Sequence, residues 1–225
     1  MLIVDDCSPD NSNQLIEQYM AKDERIKLLR LDKNSGAAVA RNAAIAAAKG
    51  RYIAFLDSDD RWLPEKLEKQ IDFMCQNDLA FSYTAYEKLD EEGAFAGAVG
   101  IPAKASYQDL LKVCSIGCLT AMYDTEKLGK VYMPLIRKRQ DLGLWLRILK
   151  LTPYAYGLNE VLAQYQLRND SISANKRDAA RYTWRLYREV EMMKFSVAAY
   201  YFVHYAVNGM LRTNFPRLAK VLGKI

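Results

Sequence analysis

The chain has 225 residues, of which 51% are hydrophobic and 26% are charged, as expected of a globular protein with a substantial core. With 32 basic and 27 acidic residues its net charge is +5, too weak to indicate a nucleic-acid partner. The four cysteines lack the paired spacing of a zinc site, and the single histidine, His204, lies in an apolar segment. We therefore expect reduced thiols, a cytosolic location and acid–base chemistry carried by carboxylates.

The N-terminal part of the chain predicts a strand–helix–strand unit. Leu2–Val4 reads as a buried strand, and the polar segment 5–12 is a strong turn and helix-start signal. A helix then runs to about Ala21, and Ile26–Leu31 forms the next strand. A unit of this kind forms a parallel pair with a right-handed crossover.

The next segment is an alanine-rich helix that starts after Asn34-Ser35-Gly36 and stops at Gly50. The backbone N–H groups of its first loop could bind an anion at the helix N-terminus. Arg41 and Asn42 lie one to two turns into the helix, where they could reach a nucleotide or an acidic strand end. A helix that only packs closely on a sheet explains the same residues equally well.

A short apolar run, Tyr52–Leu56, predicts a strand buried on both faces of a parallel sheet. It ends in Asp57, Ser58, Asp59 and Asp60, at the edge where open α/β sheets place their ligand chemistry. Alternate side chains of an extended segment point the same way. Asp57 and Asp59 could therefore share one Mg²⁺ or Mn²⁺ that holds a diphosphate. A solvated acidic turn that caps the following helix is the open alternative.

The middle of the chain predicts further layers of the sheet. In chain order the expected elements are a helix over Pro64–Gln76, a strand over Leu79–Tyr86, a returning strand over Ala94–Val99, a short helix capped by Ser106 and a strand over Ile116–Tyr123.

A second carboxylate of interest lies in a predicted helix over Arg137–Leu149. Its apolar residues follow the spacing of a helix docked on the core. Asp141 lies in the first turn, outside that apolar stripe, where the helix N-terminus favours a negative charge. It is a candidate general base, and helix capping is the alternative.

After a last strand over Val161–Leu167 and a polar loop, we expect one or two long helices from Lys176 to about Leu211. Residues 195–211 contain no charged side chain, and the chain beyond them carries basic residues without acids. We expect this helix to lie on the cytoplasmic face of the membrane, with its basic tail on anionic lipid. A buried helix, a homodimer contact and a membrane span are the alternatives.

Four segments together resemble the inverting family 2 glycosyltransferases with a GT-A fold, and their order and spacing both agree. They are Val4-Asp-Asp-Cys-Ser-Pro-Asp-Asn-Ser12, Asn34-Ser-Gly-x-x-x-Ala-Arg-Asn42, Asp57-Ser-Asp59, and Arg139-Gln-Asp141 with Leu144-Trp-Leu146. The likeness is greatest to bacterial enzymes that build surface polysaccharides such as teichuronic acid, capsule or O-antigen. It implies an α/β, Rossmann-like mixed but mostly parallel sheet flanked by helices. Residues 1–175 would form the catalytic domain, and 176–225 a helical, membrane-associating extension.

The resemblance also implies roles for individual residues. Asp141 would deprotonate the acceptor hydroxyl, and Asp59 would bind Mn²⁺ or Mg²⁺ with help from Asp57. Asp6 would contact the nucleotide base and Arg41 would lie near the nucleotide. The full nucleotide-binding set would be Asp6, Ser8, Asn34, Gly36, Arg41 and Asp57.

The implied reaction is transfer of a sugar from a nucleotide-diphosphate sugar, UDP-linked by expectation, to a saccharide or lipid-linked acceptor with inversion. The family pattern places a further strand, loop and helix ahead of Leu2, with that strand between Leu2–Val4 and Tyr52–Leu56. We expect this chain to lack that unit and to bind sugar nucleotide poorly. A catalytically inactive relative that serves as a binding or assembly partner is one alternative. A nucleotidyltransferase is another, disfavoured because no G-x-G phosphate loop is visible.

Overall fold

The computed structural model describes residues 1–168 and 176–214 of the chain. The strands in this part are β1 (Leu2–Asp5), β2 (Lys27–Arg30), β3 (Tyr52–Ala54), β4 (Arg61–Trp62), β5 (Phe81–Leu89), β6 (Phe95–Val99), β7 (Lys104–Ala105), β8 (Met122–Asp124) and β9 (Ala155–Gln166). The α-helices are α1 (Ser12–Met20), α2 (Ala37–Ala47), α3 (Lys66–Gln76), α4 (Tyr107–Lys112), α5 (Thr125–Leu128), α6 (Gln140–Ile148), α7 (Lys176–Arg185) and α8 (Phe195–Asn214).

The mixed α/β architecture is confirmed, and the strands divide into two sheets. Strands β1 and β2 form a parallel pair connected by α1, as predicted. The larger sheet has the order β3-β8-β5-β9-β4, with β6 on β5 and β7 on β9. Apart from β1–β2, only β5–β9 is a parallel pairing among the described strands, so the sheet is less parallel than expected. A tight turn joins β5 to β6, and such turns connect antiparallel strands.

Strands β1 and β3 lie in different sheets, consistent with the expectation that they are not neighbours. Among the described residues β1 pairs only with β2, and β3 only with β8. The side chains of Leu2, Ile3 and Val4 are half-buried, whereas the sequence predicted a buried strand. Each of these two strands therefore has one edge that no described strand covers.

Helix α6 lies at the centre of the hydrophobic core. The ring of Trp145 is fully buried, with its centroid 5.8 Å from that of Phe55 and 5.3 Å from that of Phe81. All residues of the apolar stripe predicted for this helix are buried, namely Leu142, Trp145, Leu146 and Leu149. The packing fixes α6, and with it the candidate base in its first turn.

The C-terminal helices share this core. Tyr187 and Ala198 are fully buried within it, and the side-chain amide of Asn208 donates to the carbonyl oxygen of Lys112 at 3.2 Å. The opposite face of α8 is apolar and exposed through Val197, Tyr200, Val203, Val207 and Met210. Among the residues that the structure describes, no helix combines the length and hydropathy needed to cross a bilayer.

One predicted strand is replaced by a turn that bears on the site. Within residues 116–123, Cys118–Thr120 form a 3₁₀ turn and the strand begins only at Met122. Two hydrogen bonds stabilise the 3₁₀ turn. The backbone carbonyl oxygen of Gly117 accepts from both the backbone N–H (3.0 Å) and the hydroxyl (2.8 Å) of Thr120. The local side-chain bond competes with strand pairing.

A buried lysine is the first residue of α3. Lys66 is fully buried, its Nζ donates to Oε1 of Gln70 at 2.6 Å and lies 4.5 Å from the ring centre of Trp62. Gln70 in turn donates to the hydroxyl of Ser82 and to the carbonyl oxygen of Thr120, both at 3.0 Å. In the described part of the chain no carboxylate pairs with Lys66, and burial lowers the pKa of Lys66 to about 7.

We predict that Lys66→Met removes a pH dependence of stability. Between the lowered pKa of about 7 and the ordinary 10.5, the unfolded chain binds the proton and the folded chain does not. The free energy of unfolding of the natural protein should therefore rise with pH, by up to about 1.4 kcal/mol per unit across this window. Urea unfolding at several pH values should show a flatter dependence for Lys66→Met. The half-exposed neighbour variant Lys69→Met should keep the slope, and equal slopes in all three proteins would contradict the prediction.

Candidate active site

Helix α2 brings a guanidinium to the end of the acidic strand. Nη2 of Arg41 donates to both carboxylate oxygens of Asp57, at 2.5 and 2.7 Å. The arginine side chain is 18% exposed and the aspartate 39%, so the pair is partly withdrawn from water. The predicted reach of α2 to the acidic strand end is thus confirmed for Arg41. Asn42 instead bonds both ways to the backbone of Met133, donating at 3.0 Å and accepting at 2.8 Å.

Several charges meet at Arg41. Burial opposes its positive charge, but the carboxylates of Asp57 and Asp141 outweigh that effect and raise the pKa of Arg41 above its ordinary value. The thiol of Cys118 is close enough to interact with Arg41, Asp57, Asp141 and Asp60, and burial raises its pKa well above the usual range. The structure therefore brings together the turn after β3, the middle of α2 and the first turn of α6, which are distant in sequence.

Asp60 is the last residue of the acidic turn and is hydrogen-bonded to the larger sheet. Its carboxylate is buried and accepts from the backbone N–H of Gln166, at the end of β9, at 3.1 Å. Its own backbone N–H donates to the carbonyl oxygen of Asp57 at 3.1 Å. Burial raises the pKa of Asp60 to about 7, with the charges of Asp59 and Asp57 adding to the effect. This residue anchors the turn to the larger sheet.

The acidic turn can be tested as a cation site. Both oxygens of Asp57 accept from Arg41, whereas Asp59 is exposed and no hydrogen bond or ion pair of the described residues engages its carboxylate. Among the described residues no group of three or more His, Cys, Asp or Glu side chains is placed to hold a metal ion. The site thus offers Mg²⁺ or Mn²⁺ one free carboxylate, which fits an ion that takes its other ligands from phosphate and water.

Asp141 lies in the first turn of α6 and is half-buried. The N-cap position is Arg139, in a left-handed conformation with φ 66°, and no side chain caps the helix. Capping therefore does not explain Asp141, and the helix begins at Gln140 rather than at Arg137. The Arg139 guanidinium bonds the hydroxyl of Tyr205 on α8 and lies 5.4 Å from its ring centre. A strained backbone beside a candidate base is typical of functional sites.

The segment Met133–Pro134 contacts both α2 and α6. Asn42 holds Met133 through the two bonds described above, and Pro134 packs against Gly143 in α6. A Cβ atom at Gly143 would lie 2.4 Å from Cγ of Pro134, so only glycine permits this approach. The contact fixes the helix of Arg41 relative to the helix of Asp141.

The carboxylate of Asp6 holds the loop that starts α2. The carboxylate accepts from the backbone N–H groups of Ser35 and Gly36, both at 2.7 Å. The backbone carbonyl oxygen of Asp6 accepts from the side-chain amide of Asn34 at 2.9 Å. The N–H groups expected to bind a ligand anion therefore bind an internal carboxylate in this structure. Gly36 has a positive φ of 87°, which makes the turn possible without strain.

The adjacent Asp5 organises the preceding turn. It is buried and accepts from the backbone N–H of Ser8 at 3.1 Å and the side chain of Asn13 at 3.0 Å. Hydrogen bonds from Ser8 and Asn13 lower the pKa of Asp5. Ser8 is exposed in this turn. The loop held by Asp6 leads into α2, the helix that carries Arg41. The roles of Asp6, Ser8, Asn34 and Gly36 in nucleotide binding stay predictions.

Comparison with known proteins identifies the chain's class. Residues 1–114 match the family described as Glycosyl transferase family 2. The chain is 50% identical over 211 residues to TuaG of Bacillus subtilis (strain 168), whose name is that of a teichuronic acid biosynthesis glycosyltransferase, and the match covers 93% of this chain and 84% of TuaG. It is 38% identical over 216 residues to the Escherichia coli UDP-Glc:alpha-D-GlcNAc-diphosphoundecaprenol beta-1,3-glucosyltransferase WfgD, covering 96% of this chain and 83% of WfgD.

A solved structure shares the fold. The crystal structure of S. aureus TarS 1-349 in complex with UDP superimposes with a TM-score of 0.67 at 20% identity, covering 95% of this chain and 63% of that one. The architecture is thus that of a GT-A glycosyltransferase. The chain belongs to glycosyl transferase family 2.

Proposed function

We propose that the chain transfers a sugar from a nucleotide-diphosphate sugar to a saccharide or lipid-linked acceptor, with inversion, during bacterial cell-surface polysaccharide synthesis. The observation that carries the proposal is the convergence of the Arg41–Asp57 pair and Asp141 around Cys118. The carboxylate of Asp141, which has no hydrogen-bond or ion-pair partner among the described residues, lies on α6, and the acidic turn proposed to bind the donor follows β3. The named activities of TuaG and WfgD support the same class of reaction.

The proposed chemistry is one displacement. Asp141 accepts the proton of an acceptor hydroxyl, whose oxygen attacks the anomeric carbon of the donor sugar. The bond from that carbon to the diphosphate oxygen breaks, and its electron pair leaves with the diphosphate. Attack opposite the leaving group inverts the configuration, and no covalent enzyme intermediate forms.

The donor side of the proposal uses the acidic turn. Asp59 would hold Mn²⁺ or Mg²⁺, which supplies positive charge to the leaving diphosphate when bound. Arg41 keeps Asp57 fixed at the strand end, and the Asp6, Ser8, Asn34 and Gly36 group would line the nucleotide side. UDP is the proposed nucleotide, because WfgD is named for UDP-glucose.

The test is a transfer assay with the purified chain, Mn²⁺, UDP-glucose and other UDP-sugars, and a GlcNAc-diphosphate lipid as acceptor. We expect UDP release coupled to a new glycosidic bond whose anomeric configuration, read by NMR, is opposite to that of the donor. Pyrophosphate release from a nucleoside triphosphate and a sugar phosphate would instead indicate a nucleotidyltransferase. Metal-dependent UDP binding without transfer to any acceptor would support an inactive relative.

We also propose that the exposed apolar face of α8 contacts the inner surface of the cytoplasmic membrane. The argument is charge complementarity, since the sequence beyond Leu211 contains four basic residues and no acidic ones, namely Arg212, Arg217, Lys220 and Lys224. Side chains of valine, tyrosine and methionine on that face suit the boundary between headgroups and acyl chains.

Replacing Val203 and Val207 with glutamate is expected to weaken binding to phosphatidylglycerol vesicles about tenfold or more, because both side chains would leave the lipid boundary. Vesicle co-sedimentation measures the effect. Leu15→Glu, an exposed apolar residue on α1, is the matched control and should bind as the natural chain does. Unchanged binding of the double variant would contradict the proposal. A concentration-dependent dimer lost in the same variant would assign the face to a second copy of the chain.

A further inference from the structure

A basic cleft lies between the segment before α6 and the start of α7. It encloses about 430 Å³ and is lined by Arg137, Lys138, Asp178, Arg181 and Tyr182. Three of these side chains are cationic and one is anionic, so the lining charge is +3 − 1 = +2. No residue of the acidic turn after β3, where the donor is proposed to bind, lines this cleft.

The charges of the cleft are unevenly matched. Nζ of Lys138 lies 3.0 Å from Oδ2 of Asp178, which neutralises one cation. Arg137 and Arg181 are exposed, and neither has a hydrogen-bonded acidic partner among the described residues. Two guanidinium groups are thus available, and arginine binds phosphate oxygens in a bidentate manner. The ring of Tyr182 adds an aromatic surface of the kind that packs against a sugar face.

The cleft is adjacent to the candidate base by covalent connection. Lys138 precedes Asp141 by three residues, so their Cα atoms are at most about 11 Å apart. An acceptor hydroxyl at Asp141 therefore leaves the rest of the acceptor within reach of the cleft. In a sugar attached to lipid through a diphosphate, one sugar ring separates the attacking hydroxyl from two phosphates that carry one negative charge each. These two charges match the +2 of the lining.

We propose that this cleft binds the diphosphate of a lipid-diphosphate-linked acceptor and thereby directs the acceptor hydroxyl to Asp141. The inference rests on the proposed function and adds a subsite to it. Arg137 and Arg181 would bind the phosphate oxygens, Lys138 would be held in position by Asp178, and Tyr182 would border the sugar. None of these residues takes part in the displacement itself.

The test compares acceptors with and without the diphosphate. Arg137→Gln combined with Arg181→Gln should raise KM for a short-chain GlcNAc-diphosphate lipid at least tenfold, since each lost charge-assisted hydrogen bond weakens binding. The kcat, the KM for the UDP-sugar and the KM for an alkyl GlcNAc without phosphate should stay unchanged. The control variant Arg25→Gln removes an exposed arginine whose guanidinium pairs, in the described part of the chain, with Asp23 alone, and it should leave every constant unaltered. Arg181→Lys, which keeps the charge, should recover part of the affinity.

Direct binding separates this proposal from the transfer reaction. Calorimetry with the same acceptor analogue in detergent-free buffer measures binding without turnover. Binding that depends on the cleft arginines, with no sugar transfer, would contradict the proposed function and support the cleft as a diphosphate site. Transfer with equal KM for the phosphorylated and unphosphorylated acceptors would overturn the cleft and leave the function standing. Weakened UDP binding in the double variant would assign the arginines to the donor. Loss of phosphatidylglycerol-vesicle binding with unchanged binding of the soluble analogue would assign them to phospholipid headgroups.

Discussion

Replacing Asp141 with asparagine is expected to lower kcat for sugar transfer about 10²–10⁴-fold, because the amide cannot accept the proton of the attacking hydroxyl. The packing of α6 depends on apolar residues on its other face and on Trp145, so the fold should remain intact. The substitution keeps the size of the side chain and the donor site, and therefore the affinity for UDP should be unchanged. Loss of activity without loss of binding is the specific signature of a missing base.

The measurement is steady-state transfer and UDP calorimetry on the same preparations. Asp72→Asn, an exposed carboxylate on α3, controls for the loss of one negative charge and should be fully active. Asp141→Glu should retain partial activity, with the pH dependence of kcat/KM preserved. An Asp141→Asn variant that transfers sugar at the natural rate would exclude this residue as the base.

Much of this arrangement can be predicted from sequence because it depends on local patterns. The acidic residues after a short apolar run, the Ser106 capping box and the apolar stripe of α6 are each encoded within a few neighbouring positions. The likeness of four segments to one family then ordered these patterns into a single site. Those predictions required no knowledge of which strand pairs with which.

The remainder depends on contacts between distant parts of the chain. Asn42 bonds to the backbone of Met133, 91 positions away, and Asp60 bonds to Gln166, 106 positions away. No local pattern distinguishes Asp60 from the two carboxylates before it, yet burial in the folded chain, aided by the charges of Asp59 and Asp57, raises the pKa of Asp60. Cys118 lies at the site within a 3₁₀ turn, where the sequence predicted a strand. The antiparallel pairings of β3, β4 and β8 were missed for the same reason, since pairing is a property of the assembled sheet.

The role of Asp6 shows how a correct motif can mislead about its ligand. A glycine loop at a helix N-terminus does bind an anion here, but that anion is the chain's own carboxylate. The two N–H groups are thereby held by hydrogen bonds within the chain, so the loop would be preorganised for the nucleotide that we propose. Preorganisation of this kind lowers the entropic cost of binding.

The pairing of Arg41 with Asp57 gives the carboxylates of Asp57 and Asp59 different surroundings. A guanidinium on both oxygens of Asp57 competes with any cation there, whereas the carboxylate of Asp59 is exposed and free in the described structure. The two aspartates should consequently differ in what their loss does. Asp57 balances the partly buried charge of Arg41, and Asp59 is the residue proposed to hold the metal ion.

Asp59→Asn is therefore expected to lower kcat/KM for the UDP-sugar about 10²–10³-fold and to abolish the dependence of UDP affinity on Mn²⁺. Its thermal stability should match that of the natural chain, because the side chain is exposed. Asp57→Asn should lower activity and also the melting temperature, since it leaves Arg41 partly buried without its partner. Calorimetry of UDP with and without Mn²⁺, beside thermal unfolding, distinguishes the two variants. If Asp59→Asn kept its Mn²⁺ dependence while Asp57→Asn lost it, Asp57 would be the metal ligand and the arginine would have to release it on donor binding.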